Sequence, residues 1–333
     1  MNILGPCSAE SREQVIETAS RICDLGFQIS NFKFIYRAGV WKPRTSPHSF
    51  QGAGAEGLAW LQEVKERFGI PVATEVASPE HVRLALEAGI DYLWIGARSS
   101  ATPIVVQAIA DAIGLAISEL GISGLKGIII KNPVNADGDL WLGNIERLEK
   151  TGIPVIAVHR GCNHQPCWFM AHQVRLARPD IPMLLDPSHM SGDAAKVPEL
   201  MKKVAELGLD GAMVEVHYNP SAALSDAAQQ IKPEEIVERC TVYGVGCKDT
   251  ELNWLRAEID ELDEQLWDTI AKRMDVSRRI GAWKKAHDMT PLQPERYREI
   301  VERIKSRDES QESRDFMLKI WEIIHEQSLR EQE

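Results

Sequence analysis

From the first residue to about residue 217, short β-rich runs alternate with longer stretches of helical periodicity. The runs are NILGPC, FKFIYR, PVATEV, YLWIGA, GIIIKN, PVIAVHR, PMLLDPS and GAMVEVH. Amphipathic segments such as SREQVIETASRICDLG and AEGLAWLQEVKERFG separate them, several closed by a glycine just before the next run. Parallel strands need a long crossover, usually a helix, so eight such repeats predict an α/β fold, a closed (β/α)8 barrel rather than an open sheet. At their carboxyl ends the runs carry Cys7, Arg37, Glu75, Arg98, Lys131, His159–Arg160, His189 and Glu215. Strand ends are solvated and tolerate an occasional charge. A reactive or charged group at all eight predicts convergence on one site at the rim where barrel enzymes work.

After Asp226 the pattern changes. A short helix and the Gly-rich GVGCK lead into text that is purely helical from Glu251 to the end. A chain of 333 residues suits one large and one small domain. The expected division is a barrel over 1–235, a linker over 236–248 and a small all-α, three-helix domain over 249–333. The barrel opens almost at its first strand, so no regulatory domain is expected before it.

A net charge of −11 argues against nucleic acid as a partner, since a phosphate backbone needs a basic face. No apolar run is long enough to span a bilayer, and the amino terminus lacks the pattern of a signal peptide. Six cysteines at scattered spacings, Cys162/Cys167 and Cys240/Cys247 among them, form no paired framework and suit a reducing cytoplasm.

Cys7, His189, Glu215 and Asp226 offer one thiolate, one imidazole and two carboxylates. That mixture suits a single borderline divalent ion, manganese, iron or zinc, and suits magnesium poorly. Taken one at a time these are a buried cysteine, a loop histidine and solvated carboxylates. Arg37, Lys42, Arg44, Arg98, Lys131 and Arg160 add six cations around the same rim of an acidic protein. Guanidinium and ammonium groups in such number suit small phosphorylated or carboxylated substrates.

Together GPCSAE, RAGVWKPRTSPHSFQG, TEV, IGAR, IIIKNPVN, HRG, LLDPSH and VEVHYNPSAALSD resemble type Iβ 3-deoxy-D-arabino-heptulosonate 7-phosphate (DAHP) synthase, over nearly all of residues 1–235. The spacings of 26 residues between His189 and Glu215 and 11 between Glu215 and Asp226 agree with that family. The resemblance implies a TIM barrel that condenses phosphoenolpyruvate with erythrose 4-phosphate, at the entry to aromatic amino-acid synthesis. It implies a phosphoenolpyruvate site of Arg37, Lys42, Arg98, Lys131 and Arg160. Lys42, Pro43, Arg44 and Thr45 would hold the sugar phosphate. It implies a metal on Cys7, His189, Glu215 and Asp226, with Lys42, Glu75 and His189 doing catalytic work and Glu75 positioning a water. The sibling enzyme that uses arabinose 5-phosphate carries Asn-Arg-Ser-Ser in place of KPRT, and its metal-independent members lack the cysteine.

In the first C-terminal helix, Leu252, Leu255, Ile259, Leu262, Leu266, Ile270 and Ile280 form an apolar stripe. Arg273 and Lys284 lie within about 20° of its line, either snorkelling to solvent or forming a pocket for a small dianion. Arg256 stands roughly 25 Å from Arg273 along a straight helix, so a shared ligand would need Arg256 from a second copy. LRAEIDELDEQLW, AKRM, RIGAWKK, QPERYREI and SLREQ resemble chorismate mutase of the AroQ class. This implies a bifunctional shikimate-pathway enzyme that also converts chorismate to prephenate. Chorismate would bind to Arg256, Arg273, Lys284, Arg296, Ser328 and Gln332, with homo-oligomers forming through the helices. Feedback by prephenate or chorismate through this domain is expected on the same analogy. Tyr297 and Gln293 depart from the Glu and Asp common in that family; the alternative is a helical domain that only senses ligand or dimerises.

Overall fold

The computed structural model describes residues 1–26, 33–43, 46, 48–121, 124–236, 250–307 and 309–332. Arg44, Thr45, Cys240, Cys247 and most of the expected linker lie outside these residues. Eight strands form the expected closed barrel in chain order: β1 (Asn2–Gly5), β2 (Phe34–Arg37), β3 (Val72–Val76), β4 (Tyr92–Ile95), β5 (Gly127–Lys131), β6 (Val155–His159), β7 (Met183–Leu185) and β8 (Gly211–Glu215). Neighbours are parallel, and β8 closes on β1 with Glu215 opposite Gly5. Around them run α1 (Arg12–Gly26), α2 (Glu56–Phe68), α3 (Pro79–Glu87), α4 (Ala97–Ser100), α5 (Pro103–Leu120), α6 (Gly138–Glu149), α7 (Trp168–Ala177), α8 (Pro187–Ser191) and α9 (Val197–Glu206).

Both faces of the barrel wall are covered, which is why the strands read as continuous apolar runs; β3, β5 and β6 are buried at every position. Inside, Ile3, Ile35, Ala73, Trp94, Ile129, Ile156, Leu184 and Met213 belong to one cluster. Side chains alternate along a strand, so two residues further on the same inward direction belongs to Arg37, Glu75, Lys131, Asp186 and Glu215. Fully burying a Leu or Ile side chain is worth about 1.5–3 kcal/mol. A slip by one residue would push the charged set into the helix layer and lose that burial, so the register that aims these groups is strongly specified.

The chain divides into two compact units, Met1–Glu258 and Ile259–Glu333. Among the described residues only helices follow the barrel: α10 (Thr250–Ala286), α11 (Pro294–Lys305) and α12 (Gln311–Arg330). Proline at the first position of α11 and the Ser310 hydroxyl accepting from Ser313 N start the last two. At Gly281 the end of α12 approaches α10 so closely that a Cβ would collide with the backbone of Gln332.

Candidate active site at the carboxyl rim of the barrel

Cys7, His189, Glu215 and Asp226 come from the ends of β1, β7 and β8 and the segment beyond, and their donor atoms all lie within 4.8 Å of one another. Ligands about 2.0–2.3 Å from one ion stand at most about 4.6 Å apart, so this spread is close to that of a coordination shell. Burial, reinforced by Glu215, pushes the Cys7 thiol up to about 12. In the metal-free protein the sulfur therefore keeps its proton and donates it to Asp226 Oδ2, 2.9 Å away. A divalent cation would exchange for that proton, as thiolate ligation requires. His189 turns Nδ1 to Asp186 Oδ2 at 2.9 Å and Nε2 towards Glu215 Oε1 at 3.5 Å. Asp186 thus takes the Nδ1 proton and leaves the Nε2 lone pair for an ion, the usual outer-shell arrangement.

Asp186 also takes the Lys131 ammonium at 2.6 Å. Burial alone would raise its carboxyl, yet His189 and Lys131 hold it well below the usual range. Glu215 is likewise opposed by burial, and His189, Arg37 and Lys42 bring it below its ordinary value. Its Oε1 meets Arg37 Nη2 at 3.0 Å with both side chains fully buried, and its Oε2 accepts from Gln229 at 2.7 Å. Arg37 lies over the Trp94 ring at 4.7 Å, and its Nε and Nη1 have no hydrogen-bond partner among the described residues.

Above these groups opens a cavity of about 220 Å³ lined by Lys42, Glu75, Arg98, Lys131, Arg160 and His189, with Pro43, Asp226 and others. Lys42 Nζ donates to the Cys7 carbonyl at 3.1 Å and lies 3.7 Å from Glu75. Gly96 makes room for Glu75, since a Cβ there would collide with the carboxylate. Arg98 reaches the Pro43 carbonyl at 3.2 Å. Unlike Lys42, Arg98, Lys131 and Arg160, Arg37 is not among the residues that line the cavity.

Asp186, Gln229 and His164 were not singled out from sequence. Asp186 was findable, for it stands two residues after inward-facing Leu184. His159 differs from the sequence expectation that every strand-end group turns to the site. Being adjacent to inward-facing Val158, it points outwards between Trp141 and Trp168, with ring centroids at 6.1 and 5.5 Å. Burial pulls it from 6.5 down to about 4, so it is neutral in the fold. The unfolded chain takes up a proton near 6.5 and the folded one only near 4. Stability should therefore fall as pH drops through that window, by about 3 kcal/mol from this group alone, and be unaffected by it above pH 7. Urea midpoints for wild type and His159→Gln across pH 7 to 4 should diverge accordingly; parallel curves would contradict this.

In the second unit Arg273 donates to the Ser328 hydroxyl, and its guanidinium lies 4.8 Å over Trp321. Lys284 donates to Gln332 at 2.9 Å and to the Pro291 carbonyl at 2.5 Å. Arg296 instead pairs with Glu299 at the surface at 2.7 Å. Tyr297 sets its ring 4.8 Å from His325. Arg256 is exposed and belongs to the first unit.

Residues 1–244 match the DAHP synthetase I family. The chain belongs to that family. Residues 255–333 match chorismate mutase type II. A phospho-2-dehydro-3-deoxyheptonate aldolase of Thermotoga maritima is 31% identical over 236 residues, covering 69% of this chain and 64% of that relative. A 2-dehydro-3-deoxyphosphooctonate aldolase of Helicobacter pylori is 26% identical over 251 residues, covering 70% and 90%. The crystal structure of the Thermotoga maritima DAHP synthase superposes with a TM-score of 0.60 at 29% identity, over 72% of this chain and 66% of that one. This DAHP synthetase family member thus spans just under two thirds of the Thermotoga relative's length. Among its described residues no helix is long and apolar enough to cross a membrane.

Proposed function

We propose that the barrel condenses phosphoenolpyruvate with erythrose 4-phosphate to DAHP and that the helices convert chorismate to prephenate. The observation that carries the first half is four metal-type donors within 4.8 Å of one another beside a cavity ringed with cations. A trianionic substrate must be desolvated to enter such a cavity, and Lys42, Arg98, Lys131 and Arg160 replace its water with charge-assisted hydrogen bonds. Buried Arg37, whose Nε and Nη1 find no partner among the described residues, adds positive potential from beneath. Lys42 and Pro43 open the KPRT segment that receives the sugar phosphate, completed by Arg44 and Thr45.

Cys7, His189, Glu215 and Asp226 would hold one divalent ion, manganese, iron or zinc, which would supply Lewis acidity at the aldehyde. Asp186 fixes the His189 ring, so His189 acts as a ligand and not as an acid. Glu75, held beside Lys42, positions the water that attacks C2 of the enol substrate while C3 forms the new carbon–carbon bond.

Relatives of both the heptonate and the octonate kind match this barrel, so the sugar must be chosen by this chain's own residues. The KPRT segment opened by Lys42 and Pro43 favours the four-carbon sugar, and Cys7 sets the chain apart from the metal-independent enzymes that use arabinose 5-phosphate. With equal concentrations of erythrose 4-phosphate and arabinose 5-phosphate, the heptulosonate should dominate by at least an order of magnitude. Faster turnover of arabinose 5-phosphate would reverse the assignment.

For the helices, the paired contacts Arg273–Ser328 and Lys284–Gln332 support a dianion site. A pericyclic rearrangement needs only the compact conformer bound and its developing charge stabilised. Arg256 would enter from a second copy. Leu255, Ile259, Leu262 and Leu266 are each 46–61% exposed, an apolar stripe that a partner helix would cover in a homo-oligomer. Arg296 at the surface and Tyr297 against His325 favour a second reading, a sensor without useful turnover. Chorismate consumption by the full chain decides between them. Feedback by prephenate or chorismate belongs to either reading. Cys7 and Cys23 carry free thiols, in keeping with a reducing cytoplasm.

A further inference from the structure

We propose that Trp254 and Glu258, on the first turns of α10, are positioning residues for the condensation site: they hold the β6–α7 loop that brings Arg160 and His164 to the cavity. The proposal rests on the condensation reading above. It assigns a barrel function to residues beyond the stretch matched to the synthetase family, which ends at residue 244.

Residues 250–258 belong to the same compact unit as the barrel. Along this part of α10, Trp254 and Ala257 are each 3% exposed, whereas Leu252 and Leu255 are 45% and 46% exposed. One edge of the helix is therefore sunk into the barrel's outer layer. Trp254 stacks on His172 of α7 with ring centroids 5.2 Å apart and planes 4° from parallel. It meets Trp168, the first residue of α7, edge-on at 6.0 Å. Glu258 Oε1 lies 2.5 Å from His172 Nδ1. Trp168 in turn faces His159, whose Nε2 donates to the Pro166 carbonyl at 2.6 Å.

The loop between β6 and α7 needs such support. Asn163, His164 and Cys167 all have left-handed backbone angles, φ 51°, 60° and 51°. Asn163 and His164 turn within a tight loop closed by the Cys162–Gln165 backbone pair, whereas Cys167, at the start of α7, holds its angle against its surroundings. The strand end is fixed by Asn132, which accepts from Arg160 N at 2.7 Å and donates to the Gly161 carbonyl at 3.0 Å. The helix end is fixed through Pro166 and Trp168, and Trp168 is backed by Trp254. Arg160 lines the cavity at the strand-end anchor and His164 lines it between the two anchors. His164 also lies against Gly192, where a Cβ would collide with its ring, so the loop sits on the turn that follows His189 and α8. Loosening the Trp254 edge frees the helix end of the loop, displaces His164 and opens the cavity wall beside Arg160.

Arg160 serves substrate binding, so opening the cavity wall beside it weakens uniform binding more than the chemical step. In the full-length holoenzyme, Trp254→Ala should raise KM for phosphoenolpyruvate about tenfold with kcat within about threefold of wild type. Trp254→Phe, which keeps an aromatic edge, should recover most of that KM, and Glu258→Ala should raise KM in the same direction by a smaller factor. Calorimetric titration with phosphoenolpyruvate should show the same ranking of dissociation constants without turnover. Unchanged KM in Trp254→Ala overturns the proposal. So does an equal loss of active protein in Trp254→Ala and Trp254→Phe with KM unaltered, which is what a merely structural role gives. Should Trp254→Ala fail to fold, an unchanged KM in both Trp254→Phe and Glu258→Ala overturns it, and a raised KM in Glu258→Ala supports it. Absence of heptulosonate formation by wild type would instead defeat the condensation reading itself, which the wild-type assay reports separately.

Discussion

Replacing Cys7 with alanine should cut heptulosonate formation about a thousandfold while chorismate consumption in the same preparation stays within about twofold. The sulfur is wholly buried and 2.9 Å from Asp226. Its loss removes the one soft donor of the four and leaves a set better suited to hard, weakly held ions. A loss of about 4 kcal/mol of charge stabilisation at the reacting centre corresponds to that thousandfold. Alanine leaves only a small cavity, so the fold should persist, and the Arg273 and Lys284 contacts do not involve Cys7. Parallel steady-state assays of both reactions, with manganese in excess, check the selectivity. An equal fall in both activities would mean unfolding rather than loss of a ligand.

The second large effect concerns stability. Arg37 and Glu215 are fully buried and paired at 3.0 Å. Arg37→Met should destabilise the chelator-treated barrel by about 4 kcal/mol, because removing one member leaves a buried charge without its partner. For a domain of this size that is a fall of about 10 °C in the barrel's melting transition. The double variant Arg37→Met/Glu215→Gln should be markedly less unstable than the sum of the single variants, with a coupling of about 2 kcal/mol. A bound divalent cation gives Glu215 another counter-charge, so metal should reduce the cost of Arg37→Met. Additive losses, or no effect of metal, would show that Arg37 does not compensate Glu215. Differential scanning calorimetry on the four proteins, with and without manganese, gives each quantity.

Much of the barrel site was legible because two periodicities carry it. Apolar runs at regular intervals gave strand order, and alternation within each run aims Arg37, Glu75, Lys131 and Glu215 inwards. Parity also decides the case that sequence reading misplaced: His159 and Arg160 are adjacent, so only one can face the cavity, and inward-facing Val158 selects Arg160. Asp186 was overlooked beside His189, although the same parity marks it. Trp254 could not be found this way. The stripe through Leu252, Leu255 and Ile259 dominates the helical pattern, and which edge of α10 is buried depends on α7, far away in the chain. Arg256 is a separate case: its distance from Arg273 along the helix is what motivates the proposed second copy of the chain.

Titrating manganese into chelator-treated full-length protein while following heptulosonate formation puts the four-donor centre to the most direct test. Activity should be near zero at the start and rise in proportion to added ion, levelling off at one equivalent per chain. The Cys7→Ala protein should stay flat over the same range. Undiminished activity after chelation, with the ion shown by elemental analysis to be gone, would contradict the assignment of Cys7, His189, Glu215 and Asp226 as the centre of the reaction.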